Sequence, residues 1–222
     1  MSKYVFLDFN GTIIDDIDLC LELLNQILEK QHKPLVTKEH YKEIFTFPVK
    51  KYYELAGVDF KLESFESLAD WYISTYQPLS LHCSLFPGCL EAFQKLKEKG
   101  YHLVILSASE KNNLLEQCQS FGIVSYFDAI LGIDNICAES KVQIALNFMK
   151  ENKIKGEDIL FVGDTLHDLE VANAMSASCM LVSCGHQSRN VLSKGNVPIL
   201  PDIYALVDLL EDAREYKKNE NL

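Results

Sequence analysis

The chain reads as an α/β protein: a Rossmann-like parallel sheet core with an all-helical domain inserted after its first strand. Three observations predict this. Five short apolar runs fit strands buried on both faces. Apolar residues at helical spacing lie around and between the last four runs. A long stretch without strand character separates the first run from the second.

The elements follow in order. The first strand is Tyr4–Leu7, ended by Asp8. From 15 to 79 the pattern is helical: Leu19, Leu23 and Ile27 share one face, and 52–55 and 62–76 read the same way. Pro78 and residues 79–87 read as the return linker. The predicted division is therefore 1–14 with 80–222 as the Rossmann-like core, and 15–79 as an inserted helical domain. In the core, Cys89, Leu90, Phe93 and Leu96 form a helix face, and Gly100 stops that helix. Strands follow at 102–106, 129–131, 159–162 and 179–182. Val142, Ala145, Leu146 and Met149 mark one intervening helix. Leu169, Ala172, Met175 and Ser176 mark another. Parallel strands joined in this way require right-handed crossovers. The polar end, 211–222, is expected to fray.

Composition narrows the function. The chain has 222 residues, 48% hydrophobic and 24% charged, enough for a real core. Its formal net charge of -11 argues against nucleic-acid partners, whose phosphates demand Lys and Arg. An anionic substrate needs a local positive centre, such as a metal ion, against that field. There are seven cysteines, an odd number, and no CxxC, which argues against zinc and for a reducing compartment. The first apolar run is too short for a signal segment, and no run approaches the ~18 residues of a membrane span. The expected setting is cytoplasmic, with no membrane partner, as a monomer or homodimer.

The chemistry concentrates at strand ends. Asp8-Phe9-Asn10-Gly11-Thr12 follows the first strand, Ser107-Ala108-Ser109 the second, and Gly163-Asp164-Thr165-Leu166-His167-Asp168 the fourth. Parallel strands bring all these ends to one edge, where α/β sheets bind ligands. Asp8, Ser107, Asp164 and Asp168 should therefore meet. Clustered carboxylates repel unless a cation joins them. Mg²⁺ takes oxygen ligands and is often shared with substrate phosphate. An Asp can attack phosphorus to give an aspartyl-phosphate. Backbone N–H groups of the 9–12 loop could hold phosphate oxygens.

These residues resemble the four motifs of the haloacid dehalogenase superfamily. Asp8-Phe9-Asn10-Gly11-Thr12 is similar to the first, usually Asp-x-Asp-Gly-Thr. Ser107 resembles the second, Lys141 after Glu139-Ser140 the third, and Gly163-Asp164-x-x-x-Asp168 the fourth. Leu85-Phe86-Pro87-Gly88 resembles the segment that re-enters the core after a helical cap in the phosphoglycolate phosphatase-like branch. The resemblance spans nearly the whole chain in order. It implies Asp8 as nucleophile and metal ligand. It implies Mg²⁺ on Asp8, the Asn10 carbonyl and Asp164, with Asp168 as ligand or support. Gly11, Thr12, Ser107, Ala108 and Lys141 would hold the transferred phosphoryl group of a small phosphorylated metabolite. The cap would choose the leaving group.

Asn10 departs from that pattern. Family phosphatases carry an aspartate there, which protonates the leaving oxygen and then activates water. An amide does neither. The expectation is a slow or specialised phosphatase that favours leaving groups needing no protonation, such as aryl or acyl phosphates. One alternative is a catalytically weak phosphate-ligand binder or regulatory protein. Another is a phosphonatase, which would need a cap lysine (Lys38, Lys42, Lys50, Lys51 or Lys61), or a dehalogenase, for which the acids Asp164 and Asp168 are unneeded. His167 reads as solvated, His186 as structural or within reach of substrate, and Trp71, Tyr72 and Tyr76 as cap core.

Overall fold

The structure, a computed structural model, describes residues 3–133 and 140–210. Glu139, Cys137 and the expected fraying end at 211–222 lie outside the described residues. The chain opens with β1 (Tyr4–Leu7) and β2 (Ile14–Asp15), then α1 (Ile17–Lys30), α2 (Lys38–Ile44), α3 (Val49–Ala56) and α4 (Phe65–Ser80). It continues through β3 (Ser84–Leu85), α5 (Cys89–Glu98), β4 (His102–Glu110), α6 (Lys111–Ser120), β5 (Ala129–Ile133) and α7 (Lys141–Asn152). β6 (Ile159–Gly163), α8 (Leu166–Ala174), β7 (Ser178–Val182), α9 (Arg189–Leu192) and β8 (Ile199–Leu200) follow, and residues 204–210 are helical.

The expected α/β sheet is present. Its order is β5-β4-β1-β6-β7-β8, and every pairing is parallel. β1 lies centrally, Val5 beside both Leu103 and Leu160. Side chains alternate across the sheet, as the strand period demands. Val5, Leu7, Leu103, Ile105, Leu160 and Val162 join one apolar cluster with Phe93 of α5 and Leu114 of α6. Phe6, Val104, Leu106 and Phe161 join the other with Ala145 of α7 and Val171 of α8. The first cluster continues unbroken into the helical stretch, through Ile17, Leu24, Tyr41 and Tyr52.

Three sequence expectations shift. Pro78 is not linker; it sits inside α4, in its last turn. The return segment contains β3, which pairs antiparallel with β2, Ile14 opposite Leu85 and Asp15 opposite Ser84. β4 runs past 106 to Glu110 with a register shift beyond Leu106, because Glu110 rather than Ser107 caps α6.

Phe93 is fully buried, its ring 5.0 Å from that of Phe127. Phe93→Ala should therefore cost ~3–5 kcal/mol in urea unfolding. Leu62→Ala, at a residue 64% exposed, should stay within ~0.5 kcal/mol.

Candidate active site

The acids converge as the parallel topology requires. Asp8 directly follows β1, its N–H donating to the Val162 carbonyl of β6 at 2.9 Å. Asp164 directly follows β6. Asp168 lies in the first turn of α8, where Thr165 and Asp168 form a reciprocal capping box. Asp168 Oδ2 accepts from the Asp164 and Thr165 N–H groups at 3.1 and 3.0 Å. A Cβ at Gly163 would collide with the Asp168 carboxylate, so this approach requires glycine. Oxygens of Asp8, Asp164 and Asp168 lie within 4.8 Å of one another.

Lys141, the first residue of α7, enters this cluster. Its Nζ donates to Asp8 Oδ1 at 2.5 Å and to Asp168 Oδ1 at 2.6 Å. Ser140 caps the helix by accepting from the Gln143 N–H, which fixes where Lys141 starts. Burial opposes the ammonium charge, but Asp168 and Asp8 outweigh it and hold Lys141 above its usual range. Burial also pushes Asp8 up to about 8, with repulsion from Asp168 and Asp164 acting against the pull of Lys141. Asp164 is pushed up to about 6 by burial, with Asp168 adding to it and His186 opposing. Burial opposes the Asp168 charge too, but Lys141 and Thr165 hold it below the ordinary carboxylate range.

The cluster thus has more acid than one ammonium balances. An all-oxygen donor set short of positive charge fits Mg²⁺. Asp8 and Asp164 suit direct ligation. Asp168 accepts from Lys141 on Oδ1 and from the Asp164 N–H, the Thr165 N–H and the Thr165 hydroxyl on Oδ2, whereas each Asp164 oxygen accepts once, so Asp168 suits support.

Ser107, Ala108 and Lys141 line a cavity over the acids, with Asp8, Asn10, Asp164 and Asp168. Gly11 and Thr12 do not line it. The Gly11 N–H donates to Ile14 O and to Asp16 Oδ1, and Thr12 Oγ1 donates to Asp164 Oδ1. Those groups serve the fold of the loop instead of facing a phosphate. At Gly11 φ is +74°, and a Cβ would strike Asp164 and His186.

Sequence reasoning missed the second buried set. Asn10 Nδ2 donates to Asp16 Oδ2 at 2.9 Å and to the Tyr76 hydroxyl at 2.7 Å. Its Oδ1 accepts from Ser109 Oγ at 3.1 Å. Tyr76 donates to Asp16 at 2.6 Å. His186 Nε2 lies 3.3 Å from Asp16 Oδ1, its Nδ1 meets the Tyr41 hydroxyl, and its N–H donates to Asp164 Oδ2. The Cys20 thiol also donates to Asp16. Nothing local in the sequence marks Asp16 or His186, because the set draws on segments around 10–20, 41, 76, 164 and 186. His186 is buried and hydrogen-bonded within this set, and Tyr72 and Tyr76 reach the cavity wall.

The cavity holds about 420 Å³. Its upper wall is aromatic and comes from the helical stretch, including Phe45, Phe47, Phe65 and Tyr72. Phe47 packs against His167, centroids 4.7 Å apart. That stretch is tied to the sheet side at several points. Lys42 Nζ donates to the Ser183 and Cys184 carbonyls, Ser188 N–H to Lys42 O, and Gln77 to Asn113 O.

Burial opposes the Asp16 charge, but His186 and the Tyr76 and Asn10 donors hold it below the usual range. Burial opposes the His186 charge too, yet Asp16 first, then Asp164 and Asp8, push it from 6.5 up to about 9. A folded pKa above the unfolded one gives stability that is full below pH 6.5 and is lost as pH rises through about 9. His186→Gln should therefore cost ~3–5 kcal/mol near neutral pH by leaving Asp16 unpaired. The difference from wild type should shrink across that window in denaturant titrations. A pH-independent difference would mean that His186 is neutral in the fold.

The family described as haloacid dehalogenase-like hydrolase matches residues 5–182. A phosphoglycolate phosphatase of Vibrio parahaemolyticus is 21% identical over 221 residues, covering 94% of this chain and 95% of that protein. Another, of Nitrosospira multiformis, is 23% identical, covering 94% and 96%. Among solved structures, a predicted phosphatase from Clostridium acetobutylicum superposes with TM-score 0.78 at 20% identity, covering 96% and 99%. A putative haloacid dehalogenase-like hydrolase from Bacteroides fragilis gives 0.79 at 19%, covering 93% and 100%. Among the described residues no helix is long and apolar enough to cross a membrane. With the match running from β1 through β7 and the acids gathered at one sheet edge, the chain belongs to the haloacid dehalogenase-like hydrolases.

Proposed function

We propose that this chain is a Mg²⁺-dependent phosphoric-monoester hydrolase acting in the cytoplasm on a small phosphorylated metabolite through an aspartyl-phosphate on Asp8. The curated relatives named phosphoglycolate phosphatase support the reaction class. One observation carries the reading: a buried Asp8 shares Lys141 with Asp168, beside Asp164, at the floor of the cavity. The six described cysteines are free thiols, in keeping with a reducing compartment. Residues 15–79 serve as the cap in this reading, with residues 1–14 and 80–222 as the core.

Asp8, Asp164 and the Asn10 carbonyl would hold the metal, with Asp168 behind them. Bound there, Mg²⁺ supplies positive charge to the phosphate oxygens. Lys141 does the same from the protein side and offsets the Asp8 charge as an anionic substrate enters. Ser107 and Ala108 frame the phosphoryl group. An Asp8 oxygen forms the bond to phosphorus as the ester oxygen leaves with its electron pair. Water then attacks the phosphorus, returning Asp8 and releasing phosphate.

Asn10 limits both halves. It has no proton to give the departing oxygen and takes none from water. Its amide is instead spent on Asp16 and Tyr76. This occupied amide favours one second reading, a phosphate-ligand binder with little turnover. The phosphonatase alternative has no support in the cavity, since Lys38, Lys42, Lys50, Lys51 and Lys61 all lie outside its lining.

Phosphate release by the wild type should require Mg²⁺ and disappear with EDTA or with Asp8→Asn. Asn10→Asp should raise kcat on an alkyl phosphate by ~10²–10⁴. An unchanged rate would sink the acid–base account of position 10. Adduct formation with beryllium fluoride and no release from any substrate would select the binder. Because Asn10-Gly11 is prone to deamidation, peptide mass mapping belongs with each assay.

A further inference from the structure

The cavity wall opposite the acids carries a substrate signature. Phe45, Phe47, Phe65, Tyr72, Ile73 and Tyr76 are among the residues the helical stretch contributes to it. No lysine or arginine from that stretch lines the cavity; the basic side chains that line it among the described residues are Lys141, His167 and His186. Lys141 is held by Asp8 and Asp168, and His186 by Asp16. His167 pairs with Glu170 and stacks on Phe47. The acids on the non-phosphate side are Asp16, already committed, and Glu110 at the cap of α6. A leaving group with its own carboxylate would meet aromatic faces and no free positive partner, at a desolvation cost nothing repays. An uncharged ring would gain from the same surface through edge and face contacts. The space of about 420 Å³ is sufficient for such a ring with its phosphate.

A second observation agrees. Asn10 cannot protonate the departing oxygen. A phenolic oxygen, with an acid constant near pKa ~10, leaves as phenolate without such help, whereas an alkoxide does not.

We infer that the cavity selects an aryl phosphomonoester with an uncharged ring, seated among Phe45, Phe47, Phe65, Tyr72, Ile73 and Tyr76. This rests on the phosphatase reading and names its substrate class. It sets the chain apart from the glycolate-directed activity in its relatives' names. The bond from phosphorus to the phenolic oxygen breaks with both electrons on oxygen as Asp8 bonds to phosphorus. The phenolate then takes a proton from solvent. Water hydrolyses the aspartyl-phosphate to phosphate and the free carboxylate, giving its proton to bulk water.

The test is steady-state kinetics with Mg²⁺ on phenyl phosphate, 4-carboxyphenyl phosphate, phosphoglycolate and acetyl phosphate. Phenyl phosphate should show a KM at least tenfold below those of both carboxylated compounds. The carboxyphenyl pair matters because its leaving groups are similar and differ mainly in charge. Ile73→Lys, at a residue 54% exposed and so safe for folding, should move the KM ratio at least fivefold toward the carboxylated substrates. Equal or lower KM for either carboxylated compound overturns the inference. So does a ratio unmoved by Ile73→Lys, or turnover of acetyl phosphate with none of phenyl phosphate. Those outcomes leave the phosphatase reading standing. Release from no compound would instead defeat the phosphatase reading. Calorimetry on Asp8→Asn protein then decides the class, with phenyl phosphate binding tenfold tighter than phosphoglycolate supporting it and equal binding overturning it.

Discussion

Three carboxylates share one buried sheet edge with a single ammonium, and much of the molecule serves that imbalance. Parallel strands bring Asp8 and Asp164 to the same edge. The turn into α8 adds Asp168, and Ser140 sets the start of α7 so that Lys141 points back among them. Each carboxylate raises the cost of ionising the others. A chain of net charge -11 offers no diffuse positive field to relieve it. Relief must come from a group on the spot, whether Lys141 or a bound cation.

The sheet was legible in the sequence because its signals are local. Each buried strand is a short apolar run, and each connecting helix shows one apolar face. The acids were legible for a related reason, since a parallel sheet turns distant strand ends into neighbours. Other features depend on partners far along the chain and left no local trace. β2 and β3 are each two residues long and exist through each other. Asp16 looks like any acid before a helix until His186, Tyr76 and Asn10 arrive around it. Gly11 and Thr12 read as phosphate ligands because loop N–H groups often are; here Ile14 and Asp16 take the Gly11 N–H first.

Asn10 and Asp16 form a matched pair in hydrogen-bond sense. Asp16 in its charged form only accepts, so its neighbour must donate, and the amide supplies that donor. Aspartate at position 10 would put two acceptors face to face. The residue that departs from the usual family motif is thus the one its buried surroundings call for. Catalytic chemistry and local polarity make opposing demands at this position, and the side chains present satisfy polarity.

The helical stretch leaves and re-enters the core through two strands that lie side by side, with the Phe86 N–H also donating to the Ile13 carbonyl. A segment whose two ends are already paired is closed at its base. Its helices can lengthen, shorten or be exchanged between related chains without changing the span the sheet must accommodate. The base fixes that span, while Lys42, Gln77, Tyr41 and Tyr76 tie the helices themselves to the sheet side. A change in what sits above the acids has to keep those ties.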